Sequence, residues 1–131
     1  MRKSVKRLVA SRANYRCEYC FSPLDFSPDP FSIDHIDPQG GDDSDNLAFS
    51  CQGCNNYKHK DTHAQDPVTN ERAALYHPRI QNWSDHFVWI EDFSKIEGIS
   101  LIGRATVHKL QLNRVGLVNL RNLLHQYGKH P

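Results

Sequence analysis

Two cysteine pairs, Cys17-x2-Cys20 and Cys51-x2-Cys54, constrain this chain more than any other feature. A Cys-x2-Cys spacing turns two thiols to one side of a tight knuckle. Two such knuckles supply the four soft ligands of a tetrahedral zinc site. Four thiolates complete the coordination and leave no position for water, so an ion held this way is structural. Structural zinc in small peptides contributes on the order of 10–16 kcal/mol, and that becomes folding energy. The span between the pairs is tied at both ends. The competing readings are four unligated buried cysteines or a redox-active pair, and neither knuckle has the strand–helix context of a thioredoxin-like motif.

The site consumes all four cysteines and leaves none for disulfides, so a reducing, cytoplasmic setting is expected. With 131 residues the chain fits one domain, or one domain with an elaborated tail. It has no apolar run near the roughly 18 residues a membrane span needs, and the basic N-terminus lacks the apolar core of a secretory signal. The net charge of +1 conceals an asymmetry. Arg2, Lys3, Lys6, Arg7, Arg12 and Arg16 fall in a first segment without acids; Arg104, Lys109, Arg114, Arg121 and Lys129 fall in a last segment without acids. All fifteen acids lie between them. Basic ends around an acidic centre suit a polyanion gripped from outside and cations held inside, although solvated helix faces would look the same.

Along the chain, Val5, Leu8 and Val9 give residues 3–14 the stripe of a short helix. A proline-rich loop covers 21–30, a short strand Phe31–Ile33 precedes Asp34, and turn formers fill 37–45. Leu47–Phe49 reads as a second strand and 51–60 as a helix, while 61–82 reads as irregular. Residues 86–90 and 95–100 predict a β-hairpin, and 102–112 and 115–127 predict two amphipathic helices.

The text Cys17-Glu-Tyr-Cys20, Ile33-Asp34-His35-Ile36-Asp37-Pro38, Gly40-Gly41, Asp45-Asn46-Leu47 and Cys51-Gln-Gly-Cys54-Asn55-Asn-Tyr-Lys58 resembles the HNH nuclease family. The resemblance covers about residues 14–62 and takes the HNN form of the motif. It implies an α+β fold: a zinc-stapled ββα-metal core, here with an N-terminal helix and a C-terminal hairpin plus two-helix extension. The expected division is a nuclease core at 1–65 and an extension at 66–131 packed on it. Phosphodiester hydrolysis needs an activated water and stabilised phosphorane-like charge. His35 suits a general base near pH 7. Asp34 offers a hard carboxylate to a divalent cation, Mg2+ or Mn2+. The resemblance implies Asn55 as second ligand and Asn46 as the brace of the loop behind His35. Lys58 and His59 follow Asn55 at helical spacing, so Lys58 is expected to meet the scissile phosphate and His59 to ligate the divalent ion or contact phosphate. Arg12 and Arg16 are further expected DNA contacts. The acids Asp37, Asp42, Asp43 and Asp45 read as turn formers.

The sequence thus predicts a metal-dependent endonuclease with zinc as structural and Mg2+ or Mn2+ as catalytic metal. DNA is the expected partner, no membrane is involved, and the state is monomer or homodimer. The alternative is a non-catalytic zinc module that binds nucleic acid or protein. The stretches Trp83–Trp89 and Ile102–Thr106 resemble the tail of a set of small bacterial HNH proteins and carry no derivable chemistry.

Overall fold

The computed structural model describes all residues, 1–131. It is an α+β protein with four α-helices and three two-stranded antiparallel sheets. The chain forms two compact units, one of Met1–Thr62 with His77–Ile80 and one of His63–Tyr76 with Gln81–Pro131. No helix is long and apolar enough to cross a membrane.

In the first unit, α1 (Lys3–Arg12) buries Val9 against Leu47 and Phe49 of strand β2 (Leu47–Ser50). Val5, Ala10, Leu24, Phe31 and Ile33 close around that nucleus. Strand β1 (Ser32–His35) pairs with β2 in the register Ile33↔Phe49, Asp34↔Ala48, His35↔Leu47. The pleat sends successive side chains to opposite faces, so Ile33 joins the apolar core while Asp34 turns the other way. Helix α2 (Gln52–Lys58) follows directly. Seven residues are too few for a stable isolated helix, so α2 depends on tertiary support. That support comes from Cys54 and Lys58, both buried. The Arg79–Glu18 ion pair accounts for residues 77–80 belonging with this unit.

In the second unit, strands β3 (His63–Gln65) and β4 (Arg72–Ala74) form a hairpin where the sequence predicts irregular chain. Its strands are too short for periodicity to register, and the order comes from Asp66. That carboxylate accepts from Val68 N–H and the Thr69 hydroxyl and pairs with Arg104. Strands β5 (Phe87–Ile90) and β6 (Lys95–Gly98) form the expected hairpin, and α3 (Leu101–Leu110) and α4 (Val115–Gln126) the expected helices. Ser100 caps α3 by accepting from Gly103 N–H at 2.9 Å. Gly103 is needed for close packing: a Cβ there would sit 1.9 Å from the His86 carbonyl oxygen. Arg104 and Arg121, two of the basic residues of the acid-free last segment, are spent internally. Arg121 is buried, donates to the Ser94 and Leu112 carbonyls, and lies 5.3 Å from the Trp89 ring centre.

Candidate metal centre and adjoining cleft

The two knuckles meet because Cys17–Cys20 is zipped to β2, and β2 leads directly into Cys51 and α2. Glu18 N–H donates to the Phe49 carbonyl, and Phe49 N–H returns a bond to the Glu18 carboxylate, each at 2.8 Å. The four Sγ atoms then lie within 4.8 Å of one another, and all four cysteines are buried. Cys20 and Cys51 sulfurs are 3.6 Å apart. A tetrahedron with Zn–S bonds of about 2.3 Å has edges of about 3.8 Å, so the spacing fits zinc. Backbone N–H groups of Tyr19 and Cys20 point at Cys17 Sγ, and Cys54 N–H points at Cys51 Sγ, each at 3.4 Å. These donors favour thiolates. Hydrogen bonds from its sulfur neighbours, Cys17 first, hold Cys51 far below the usual thiol range. Burial pushes Cys17 up, and hydrogen bonding within the cluster, Cys17 first, pushes Cys54 up.

Beside this centre, Asp34, His35, Asn55 and His59 line one cleft of about 280 Å³, together with Ile33, Pro38 and Lys60. Asp34 is buried at the inner end. Its Oδ2 accepts from the Tyr19 hydroxyl at 2.8 Å, and Lys58 Nζ lies 3.2 Å from the same oxygen. Burial, and then the Asp34 carboxylate, push the Tyr19 hydroxyl well above the usual phenol range. A carboxylate has about four lone-pair sites, and these partners leave some of them open. One carboxylate, one amide and one imidazole on a shared cleft are suitable donors for a hard divalent cation. The fit carries a condition, because Lys58 already neutralises Asp34 and an ion there would share the carboxylate with it.

The remaining expected site residues fall as follows. His35 is partly exposed, and its Nε2 lies 2.6 Å from Asp42 Oδ1. Asn46 is buried; its amide donates to the Asp37 and Gly41 carbonyls and its oxygen accepts from Asp37 N–H, all at 2.9 Å. His59 ends α2 with φ 53° and ψ −127°, a backbone region that favours glycine and strains a histidine. Lys58 is a correction. It is 1 % exposed and directs its ammonium at Asp34 and the Ile36 carbonyl, so it faces inward rather than toward a phosphate. Arg12 is likewise committed, with both of its contacts at 2.6 Å to the Ser44 and Leu47 carbonyls. Arg16 donates to the Phe21 carbonyl at 3.1 Å.

Sequence reasoning missed two residues here. Tyr19 gave a signal only as an aromatic inside a knuckle. Asp42 was indistinguishable from the other loop acids, because which acid reaches His35 depends on how the loop closes.

The family model for HNH endonucleases matches residues 17–61, which spans both knuckles, the cleft and α2. That segment therefore carries an HNH motif of nuclease type. No curated protein and no solved structure matches the chain.

Proposed function

We propose that this protein is a metal-dependent endonuclease that hydrolyses DNA phosphodiester bonds, with the cleft beside the cysteine cluster as its active site. The observation that carries the reading is the convergence of Asp34, His35, Asn55 and His59 on one cleft inside the segment that matches HNH endonucleases. Zinc on Cys17, Cys20, Cys51 and Cys54 is the scaffold, and a reducing compartment keeps those thiols available. Asp34, Asn55 and His59 would hold Mg2+ or Mn2+, whose charge would stabilise the transition-state phosphoryl oxygens and the leaving oxygen.

His35 is the general base. Asp42 accepts from Nε2, which fixes the ring proton there and leaves the Nδ1 lone pair to take a proton from the attacking water. Asn46 acts at one remove, since its three hydrogen bonds hold the loop that carries Asp42. Lys58 and Tyr19 orient Asp34 from behind. By the family resemblance the products carry 5′-phosphate and 3′-hydroxyl ends. One such site cuts one strand, so a monomer nicks.

The Asp34–Lys58 pair, in which an ammonium balances the carboxylate charge, is the observation that favours the second reading, a non-catalytic zinc module. The two separate in one assay. Supercoiled plasmid should be nicked only with added Mg2+ or Mn2+. His35→Ala should slow nicking by about 10²–10⁴-fold while zinc stays at one per chain. If wild-type protein never nicks, or the variant cuts as fast, the catalytic reading fails.

A further inference from the structure

A groove of about 620 Å³ beside α1 holds none of the four cysteines and none of Asp34, His35, Asn55 and His59. Its floor is apolar and includes Leu24, Phe31 and Phe49, with the two phenyl rings 5.0 Å apart. Lys6, Arg7 and Tyr15 also line it, and no carboxylate does. Lys6 and Arg7 are exposed, and Tyr15 is 52 % exposed.

The backbone at Tyr15 is unusual. After α1 the chain passes through two left-handed residues, Asn14 at φ 53° and Tyr15 at φ 56°. Asparagine tolerates that region, whereas an aromatic residue there is an outlier. The conformation is locked on both sides: Tyr15 N–H donates to the Ala10 carbonyl at 3.0 Å, and Leu24 N–H donates to the Tyr15 carbonyl at 2.8 Å. The helix-closing bond to Ala10 and the bond from Leu24 hold this turn, and half of the Tyr15 side chain faces water at the rim of the groove. Ile33 lines both this groove and the cleft that holds Asp34 and His35, so the two depressions share a wall.

We infer that the groove receives an unpaired nucleobase from the strand under attack, with Tyr15 as its stacking face and Lys6 and Arg7 on the flanking phosphates. The inference rests on the nuclease reading for its partner. An aromatic face next to cations and free of carboxylates is the combination that binds single strands without sequence preference, because every base has a π-face. A base inside a regular duplex cannot enter such a groove. The substrate class is therefore single-stranded, flapped or locally opened DNA. An apolar peptide would fit the floor and leave the acid-free basic rim without a purpose.

The test is fluorescence anisotropy of the full zinc-loaded chain without added Mg2+ or Mn2+, with a labelled 12-nucleotide oligothymidylate and a 12-base-pair duplex as probes. Tyr15→Gly removes the ring and relieves the positive φ, and a native zinc content and circular dichroism spectrum of the variant show that its fold is kept. It should weaken single-strand binding about tenfold or more and leave duplex binding unchanged. Tyr15→Phe should bind as wild type. Replacing Lys6 and Arg7 together by Gln should reduce the salt slope for the single strand by about 1.4. Wild-type affinity in Tyr15→Gly, or equal loss in Tyr15→Phe, would overturn the inference. Absent plasmid nicking with Tyr15-dependent single-strand binding would sink the nuclease reading alone. Normal nicking with no Tyr15 effect would sink the groove alone.

Discussion

A lysine ammonium with 1 % exposure needs a specific reason to be inside. For Lys58 the reason is Asp34, whose carboxylate is also removed from water, with the Ile36 carbonyl accepting a further bond. Such a pair adds little net stability, but breaking it leaves a charge buried without compensation. Lys58→Met should therefore cost about 3–5 kcal/mol in denaturant unfolding of the zinc-loaded protein. Added Mn2+ should restore part of that loss by occupying the released carboxylate, and should raise the midpoint more in the variant than in wild type. An unchanged unfolding curve would show that Lys58 is not held by Asp34. Helical spacing correctly puts Lys58 next to the turn that begins with Asn55. It does not say how α2 is rotated against β1, and that rotation decides whether the ammonium meets phosphate or carboxylate. Cys17, Cys20, Cys51 and Cys54 were legible for the opposite reason: their spacing alone requires convergence.

At the scale of elements, the loop from Asp37 to Asn46 is ordered by one side chain. Asn46 makes three hydrogen bonds across it, and a Cβ at Gly40 would come within 2.8 Å of the Asn46 amide. At about 0.5–1.5 kcal/mol per bond, Asn46→Ala should loosen the loop by about 2–4 kcal/mol. Gly40→Ala should act in the same direction by displacing that amide. Both should retain zinc, exchange amide hydrogens faster over 37–46, and nick more slowly. Slow nicking with unaltered exchange would separate Asn46 from the loop.

The β3–β4 hairpin depends on Asp66 in a similar way, and pH reports on it. Hydrogen bonding from Arg104, ahead of the Val68 and Thr69 contacts, holds Asp66 far below the usual carboxylate value of 3.8. A depressed folded pKa stabilises above the unfolded value and loses that stability as pH falls below it. The second unit should therefore weaken progressively below about pH 3.8, and Asp66→Asn should flatten that dependence. Acid denaturation followed by circular dichroism would measure both. None of this hairpin was legible, because three-residue strands give no period and Asp66 in sequence resembles any turn aspartate.

The whole molecule divides its stabilising chemistry unequally between its two units. All four cysteines lie in the unit that contains Met1–Thr62, whereas Trp83 and Trp89 lie in the other. The first unit has a small apolar nucleus of Val9, Leu47 and Phe49, with helix α2 too short to stand alone. The second has its own buried set, including Leu75, Phe87, Ile96, Leu110, Leu112, Leu117 and Leu124, and an aromatic cluster in which the Trp83 and Trp89 rings lie 5.4 Å apart. Zinc binding is folding energy only for the unit that holds the ligands. A high-affinity zinc chelator should therefore unfold the first unit and leave the second standing. Far-ultraviolet circular dichroism should fall part of the way, and plasmid nicking should stop. Tryptophan emission should stay at its native maximum, because both tryptophans lie in the second unit. Readdition of one zinc per chain should recover the lost dichroism. A red shift of the emission in step with the dichroism would show instead that the units fold as one cooperative body, and that the metal is a staple for the entire chain.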